Sequence, residues 1–259
     1  MSPPRMSPAE YRLMVRQRHG LDVRQRSPMR VHSMIRAGIR QGLVGASEQL
    51  VEGDLVKSYA TSRNAVREAM GLLADEGLVT RTPRYGTVVV GSIARVSLIT
   101  GQAWWEDGDK ETFESVRLDS IALPMTTMLR TLLDSAAASV NLIEWLLRRD
   151  GAPFCVYTNY WTGGSTPRRP INEHSTDDFS ELFEDYYGVG LGTIDLNVEA
   201  VMCDARMAKV LDLEPGEPVL FRERLLTDTD GVPREYSHAY WPGTKVSLHL
   251  STRAHGTPC

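Results

Sequence analysis

The stretch TSRNAVREAMGLLADEGLVTRTPRYGTVVV, residues 61–90, decides the fold of the N-terminal part of the chain. Thr61 or Ser62 can cap a helix, and apolar residues then recur at helical spacing until a glycine ends the pattern. Two short strands are predicted at 78–80 and 87–90, joined by a turn that contains proline and glycine. A helix followed by such a hairpin is typical of the second half of a winged helix-turn-helix.

Two further helices are predicted upstream of this stretch. Ser27 can cap the first, Pro28 suits its first turn, and apolar residues then recur one turn apart. A second, shorter helix fits residues 52–59. The order helix, helix, helix, hairpin predicts a winged helix-turn-helix DNA-binding domain at residues 27–91.

The charge of the chain is divided unevenly. Residues 1–95 hold 15 Lys and Arg against 8 Asp and Glu, whereas residues 96–259 hold 14 against 25, so the net charges are +7 and −11. A basic part can follow a phosphate backbone and an acidic part would repel one, so two different partners are indicated; chance is the alternative. Residues 1–26 are rich in arginine without apolar periodicity, and we predict a loose basic arm there.

One side of the third helix has side chains suited to DNA. Ser62, Arg63, Asn64 and Arg67 lie together near its N-terminus, opposite the apolar stripe. Arginine can pair bidentately with guanine and asparagine with adenine, and a helix N-terminus favours phosphate. Arginines on a helix are more often an ordinary solvated face, but the cap, the spacing, the hairpin and the local charge together favour DNA binding.

The same residues resemble the signature of the GntR family of bacterial transcription regulators, over about residues 28–91. By that resemblance the four side chains above contact the operator, and Gly86 lets the wing backbone approach the minor groove. Arg84 lies in the turn of the wing and is counted with them. The family usually has a Ser-Glu-Arg-Glu-Leu run in the second helix, where this chain has Gly53 at the arginine position. We therefore expect the N-terminal arm to replace a missing backbone contact.

A repeat organises the acidic part. Residues 150–161, DGAPFCVYTNYW, and 230–241, DGVPREYSHAYW, share the frame Asp-Gly-x-Pro-(x)6-Tyr-Trp, 80 residues apart, and each follows an apolar run. Two similar β-hairpins are therefore predicted. Helical patterns lie between them and further strand patterns follow, so the fold class is α+β, an antiparallel sheet with helices packed on it. We predict these helices from Pro124 and at 177–187 and 204–211, and the strands at 191–201 and 246–250.

Residues 198–243 resemble the UTRA domain, the effector-sensing module of the HutC-like branch of the GntR family, and the weaker resemblance extends over about 95–250. It implies a chorismate-lyase-like fold with a pocket between two similar halves. We assign residues 92–111 to a linker with a first strand or loop, and residues 112–259 to an effector-binding and dimerisation domain.

Strand alternation and this resemblance select the candidate pocket. Alternation puts Tyr157, Asn159 and Trp161 on one face of the first hairpin, and Glu235, Ser237 and Trp241 on one face of the second. In UTRA domains the position of Glu235 commonly holds a glutamate that grips the effector, and the position of Trp241 is commonly aromatic. The predicted effector-binding residues are Tyr157, Asn159, Arg224, Glu235, Ser237 and Trp241.

The resemblance to UTRA domains also indicates the class of effector. UTRA domains that sense sugar phosphates carry two arginines before the first Asp-Gly, and here those positions hold Trp145 and Leu147. A buried dianion needs fixed cations. We therefore predict a non-phosphorylated effector with an apolar body and at least one donor group, although Arg222 and Arg224 before the second hairpin could compensate. The alternative is that Trp145 and Leu147 belong to the ordinary core.

Other classes of function are disfavoured. The three cysteines are scattered, no histidine pair has metal-ligand spacing on a helix, and no nucleophile elbow is present, so we expect no catalytic residue, metal or cofactor. No apolar run approaches a membrane span and no signal peptide is recognisable, so we expect a cytoplasmic protein without a membrane partner. The expected partners are double-stranded operator DNA, a small-molecule effector and a second copy in a homodimer. The alternatives are a chorismate-lyase-like enzyme fused to a DNA-binding head, and a regulator whose second domain only dimerises.

Overall fold

The computed structural model describes residues 27–82, 86–101, 103–104, 113–163 and 179–251. The predicted arm at 1–26 and Arg84 therefore lie outside the described residues. The described residues up to Ile93 form one compact unit, and those from Ala94 onward form a second.

The first unit has the predicted order of three helices and a hairpin. Its sheet is antiparallel in the order β1-β3-β2, and β1 is a short strand that the sequence patterns did not predict. The elements are α1 (Pro28–Arg40), β1 (Gln49–Leu50), α2 (Glu52–Ser58), α3 (Arg63–Asp75), β2 (Val79–Thr82) and β3 (Gly86–Val89).

The apolar stripes of α1 and α3 form the core of this unit. Val31 and Ile35 of α1 pack with Val66 and Met70 of α3, and all four are buried. Ser62 is the cap of α3, because its Oγ accepts a hydrogen bond from the backbone N–H of Ala65 at 3.2 Å. Ser27 stands at the cap position of α1 but makes no such bond, so Pro28, with its fixed φ, is the main start signal there.

The second unit is built on a six-stranded antiparallel sheet in the order β6-β7-β8-β11-β10-β9, and β12, β4 and β5 form a smaller sheet. Its elements are β4 (Ala94–Ser97), β5 (Ala103–Trp104), β6 (Phe113–Pro124), α4 (Thr127–Leu132), β7 (Ser139–Arg149), β8 (Ala152–Trp161), α5 (Phe179–Tyr187), β9 (Leu191–Met202), α6 (Ala205–Leu211), β10 (Pro218–Asp228), β11 (Pro233–Pro242) and β12 (Val246–His249).

The two predicted hairpins, β7–β8 and β10–β11, form the middle of the large sheet. Asp150 and Gly151 join the first with φ of 48° and 79°, the left-handed pair that a two-residue type I′ turn requires. The second has a longer loop, in which Asp228 Oδ1 accepts from the backbone N–H groups of Asp230 and Val232 at 3.0 and 2.8 Å. The hairpins pair through β8 and β11, so β6-β7-β8 is matched by β9-β10-β11 in approximately twofold fashion.

One sequence prediction in this unit is wrong. Pro124 ends the strand β6, which the patterns did not predict, and does not open a helix. The helix α4 begins at Thr127, because the hydroxyl of Thr126 accepts the backbone N–H of Leu129 at 3.2 Å. The segment 92–111, predicted as a linker with a first strand or loop, contributes β4 and β5 to the second unit.

The two faces of the large sheet are covered by different helices. The α6 face packs Leu146, Val156 and Val219 against α6, which Asp204 caps. The opposite face, here called the α5 face, packs Leu226 against α5. This division fixes which side chains of each strand meet which helix.

Candidate DNA-binding and effector-binding sites

The predicted DNA-contacting side of α3 is open to solvent. Ser62, Arg63, Asn64 and Arg67 are all exposed, whereas Ala65 and the rest of the apolar stripe are buried. The helix therefore presents its N-terminal polar side outward, in the manner that groove reading requires. The structure brings these four predicted residues together on one helix.

Arg67 is held by a residue that the sequence reasoning missed. Its Nε lies 3.0 and 3.2 Å from the two carboxylate oxygens of Glu52 on α2, and its side chain is still 59% exposed. Arg81 of β2 approaches the same carboxylate, with its Nη2 3.7 Å from Oε1. An exposed pair of this kind adds about 0–1 kcal/mol of stability. Its main consequence is therefore to orient Arg67, while leaving that side chain accessible.

Gly86 has a structural requirement of its own in the wing. Its φ is +87°, and a Cβ at this position would lie 2.7 Å from Nε2 of Gln49. A larger residue would therefore strain the backbone and displace the Gln49 side chain. Arg84, the other predicted wing contact, lies outside the described residues.

The position of the missing family arginine is sterically open. Gly53 lies in α2, and a Cβ built on it would meet nothing within 4 Å. Packing therefore does not impose glycine here, and a longer side chain can be accommodated.

The predicted effector-binding residues share the α5 face. Trp145, Tyr157, Ala239 and Arg222 stand opposite one another on adjacent strands, which makes one row across the sheet. On one side of this row, the next row on the same face holds Ile143, Asn159, Ser237 and Arg224, and the row after that includes Glu235 and Leu226. On the other side, the next row includes Trp241 and Leu220.

These side chains form a buried hydrogen-bonded cluster. Arg224 and Glu235 are 0% and 1% exposed and form an ion pair, with Nη2 3.0 Å from Oε1. Arg224 also donates to the hydroxyl of Tyr157 and to the backbone carbonyl of Ile99 at 2.8 Å. The hydroxyl of Tyr187, from α5, donates to Glu235 Oε2 at 2.8 Å. Three strands, a helix and the turn after β4 thus meet at one ion pair.

Two predicted pocket residues complete this network around Tyr157. The amide of Asn159 donates to the Tyr157 hydroxyl at 3.2 Å, and that hydroxyl lies 3.2 Å from Ser237 Oγ and 3.3 Å from Glu235 Oε1. Both tyrosines stay neutral, because burial, followed by smaller effects of nearby charges, raises the pKa of Tyr157 and raises that of Tyr187 well above its usual value.

Arg222 is the second buried cation of the α5 face. Its Cζ lies 5.2 Å from the ring centroid of Trp241 and 5.9 Å from that of Tyr157, so aromatic rings flank it. Burial and the charge of Arg224 lower the pKa of Arg222 to about 10, so it remains protonated at neutral pH. From the sequence, Arg222 was expected only as a compensating cation. Its spacing of two residues from Arg224 was the signal that both lie on one face of β10.

No group of three metal-ligating side chains occurs within the described ranges. Among those same residues no helix is long and apolar enough to cross a membrane.

Two family models match the chain. The model of the gntR family of bacterial regulatory proteins matches residues 29–89, and the UTRA domain model matches residues 113–247, slightly more than half of the chain. An HTH-type transcriptional regulator of Streptomyces coelicolor is 26% identical over 232 residues, covering 81% of this chain and 86% of the relative. One from Rhizobium meliloti is 22% identical over 221 residues, covering 78% and 84%.

The fold has solved counterparts. PhnF from Mycobacterium smegmatis has 19% sequence identity and a TM-score of 0.54, covering 87% of this chain and all of that one. YydK from Bacillus subtilis, described as a possible transcriptional regulator, has 17% identity and a TM-score of 0.50, covering 87% and 99%. Likeness at this level of identity shows the fold.

A winged helix-turn-helix unit followed by an antiparallel effector domain defines a class of DNA-binding transcription regulators. The chain belongs to the GntR family of bacterial regulators, in its UTRA-containing form. The predictions of family, α+β fold and regulatory rather than enzymatic function are confirmed, because the matched families and relatives are transcription regulators.

Replacing Arg63 with alanine should weaken specific operator binding by about 1–3 kcal/mol without lowering the melting temperature, because the lost contact is to a base and the side chain is exposed. The measurement is fluorescence anisotropy on an operator selected from random DNA by the native protein. Arg130→Ala, which removes an exposed arginine from α4, is the control and should bind normally. Equal affinities of the two variants would contradict the assignment of α3.

Replacing Gly53 with arginine should add a phosphate contact, because the position is open and lies in the helix preceding α3. The plot of log affinity against log salt should steepen by about 0.9. Gly53→Ala is the control: it should stabilise the helix by roughly 0.5–1 kcal/mol and leave the salt slope unchanged. The same slope for both variants would show that α2 does not approach the DNA backbone.

Proposed function

We propose that the protein is a homodimeric repressor that binds a palindromic operator through α3 and is released by a small-molecule effector bound on the α5 face. The observation that carries this proposal is the buried cluster of Arg222, Arg224, Glu235 and Tyr157 in a domain of an effector-binding family. Clusters of buried, charged and imperfectly paired groups are costly to a fold and are retained chiefly at functional sites.

The DNA-binding half of the proposal rests on geometry and charge. A single winged helix-turn-helix reads one half-site, so a palindrome is matched by two copies related by a twofold axis. Ser62, Arg63, Asn64 and Arg67 would make the contacts of each copy, with Gly86 and Arg84 in the wing. Residues 1–26 would supply the phosphate contact that Gly53 cannot make, and such a protein works in the cytoplasm, where the bacterial chromosome lies.

The effector would act by shifting a population. A ligand that binds one geometry of the dimer more tightly favours that geometry in proportion to its differential affinity. Release follows if the favoured geometry holds the two α3 helices at a spacing that no longer matches the half-sites. The acidic character of residues 96–259 supports this division of labour, because that part would not itself approach DNA.

For the effector itself we propose a non-phosphorylated molecule with an apolar body and at least one hydrogen-bond donor. Its body would lie against Trp241 and Tyr157, and its donor would bond to Glu235, with Asn159, Ser237 and Arg224 beside it. Carboxylate oxygens each offer more than one lone pair, so Glu235 can accept from a ligand in addition to Arg224 and Tyr187. A second domain that only dimerises is less well supported, because it would gain nothing from burying two arginines.

Glu235→Gln should leave operator affinity nearly unchanged at temperatures where the variant is folded, and should raise the effector concentration needed for release by about tenfold or more, because a charge-assisted bond is lost. The measurement is release of labelled operator by a panel of small metabolites. The matched control is Glu223→Gln, which makes the same change on the adjacent strand β10 but on the α6 face, where Glu223 Oε1 accepts from the hydroxyl of Tyr236 at 2.5 Å. Normal release from the Glu235 variant by the same compounds would refute the assignment of the α5 face.

A further inference from the structure

One edge of the buried Arg222 guanidinium has no partner. Arg222 is 0% exposed, and its Nη1 donates to the backbone carbonyl of Leu98 at 3.0 Å. Its Nε and Nη2 have no hydrogen-bond partner among the residues that the structure describes. These two N–H groups lie on the same side of the planar group, so they form one complete fork of the kind that binds two oxygens of an oxyanion.

The surroundings of Arg222 leave that fork as the remaining place for a ligand. The rings of Trp241 and Tyr157 flank the group at 5.2 and 5.9 Å from Cζ, and Leu98 occupies its other edge. A partner that satisfies Nε and Nη2 must therefore approach in the guanidinium plane, and an oxyanion can do so with one oxygen on each N–H.

Other donors on the α5 face also have no partner. Within the described part of the large sheet, the other buried side-chain nitrogens without a partner on this face are also donors: Trp145 Nε1, Trp161 Nε1, Trp241 Nε1 and Arg224 Nε. Ser115 Oγ is buried without a partner on the same face, but a hydroxyl can donate as well as accept. What those nitrogens lack is an acceptor.

The charges on this face indicate the net charge of that acceptor. The described ionic groups of the face with at most 1% exposure are Arg222, Arg224 and Glu235, which leave one positive charge in excess, because the buried Asp228 at the end of β10 is paired with Arg234. Glu144 does not contribute, because it lies on the α6 face and pairs there with Arg206. Tyr157 and Cys155 are neutral, since burial raises the pKa of each. One singly charged anion would bring the net charge of the site to zero, whereas a phosphate monoester dianion would leave one negative charge in excess.

We infer that Arg222 is the anchor of a monocarboxylate effector, whose two oxygens accept from Nε and Nη2 of this arginine. The inference rests on the proposed function only in calling the ligand an effector; the carboxylate site itself follows from Arg222 and its surroundings. It assigns to β10 of the second hairpin an anion site that the sequence resemblance would have located on β7 of the first, where Trp145 and Leu147 stand.

The first test needs no ligand. Arg222→Met and Arg224→Met both remove a buried cation and keep most of the side-chain volume. Arg222→Met should keep or raise the melting temperature, because it removes an unbalanced buried charge, whereas Arg224→Met should lower it, because Glu235 and Tyr157 lose their partner. An equal fall for both variants would make Arg222 a structural residue and would overturn the inference.

The second test uses three carboxylates: benzoate, phenylacetate and indole-3-acetate. Their amides and phenyl phosphate are the matched probes. Binding of each compound at millimolar concentration is measured as a shift in the melting temperature of the protein. At least one carboxylate should stabilise the native protein and bind about tenfold or more tightly than its amide and than phenyl phosphate. Arg222→Met should lose that preference. No binding by any carboxylate, equal binding of the amide or the phosphate, or an unchanged preference in Arg222→Met would each overturn the inference.

The same samples separate this inference from the proposed function. Carboxylate binding through Arg222 without release of operator DNA would support the anion site and refute its proposed regulatory role. Release of the operator by a compound that binds equally well to Arg222→Met would support regulation by the α5 face and refute the carboxylate site.

Discussion

The ion pair between Arg224 and Glu235 is the interaction on which the second unit depends. It joins β10 to β11, and its hydrogen bonds extend to Tyr157 on β8, to Tyr187 on α5 and to the backbone at Ile99. Water does not reach it, so the two charges are stabilised by each other and by the groups that bond to them. A displacement of any of these elements would expose a charge to water or leave it without its partner. The stability of the cluster therefore depends on the positions of the sheet and of α5.

The two units place their functional arginines in opposite environments, one exposed and one buried. In the first, arginines on α3 and β2 stay exposed, and the carboxylate of Glu52 orients Arg67 without burying it. Such cations attract a polyanion at long range and remain free to contact it. In the second, Arg222 and Arg224 are buried and held at fixed positions, and in the proposed function they would discriminate between small molecules by charge and shape. A regulator needs both arrangements, one for a long polymer and one for a single small ligand.

Local patterns in the sequence predicted much of this architecture. The Asp-Gly-x-Pro repeat located both central hairpins, and strand alternation put Tyr157, Glu235 and Trp241 on one face, because both rules act within a few residues. Pro124 was misread, because proline is common both at helix starts and at strand ends. The contact between Glu52 and Arg67 could not be found by periodicity, since it joins two helices. The role of Arg222 depends on register across four strands, which alternation within one strand does not determine.

A double-mutant cycle on the central ion pair tests this account most directly. Arg224→Met and Glu235→Gln should each lower the free energy of unfolding by about 3–5 kcal/mol, since each leaves a buried charge without its partner. The double variant should lose much less than the two losses combined, with a coupling energy of roughly 2 kcal/mol or more, when unfolding by urea is followed with near-ultraviolet circular dichroism. Additive losses, or single losses below about 1 kcal/mol, would mean that the pair does not organise the sheet and that the account is wrong.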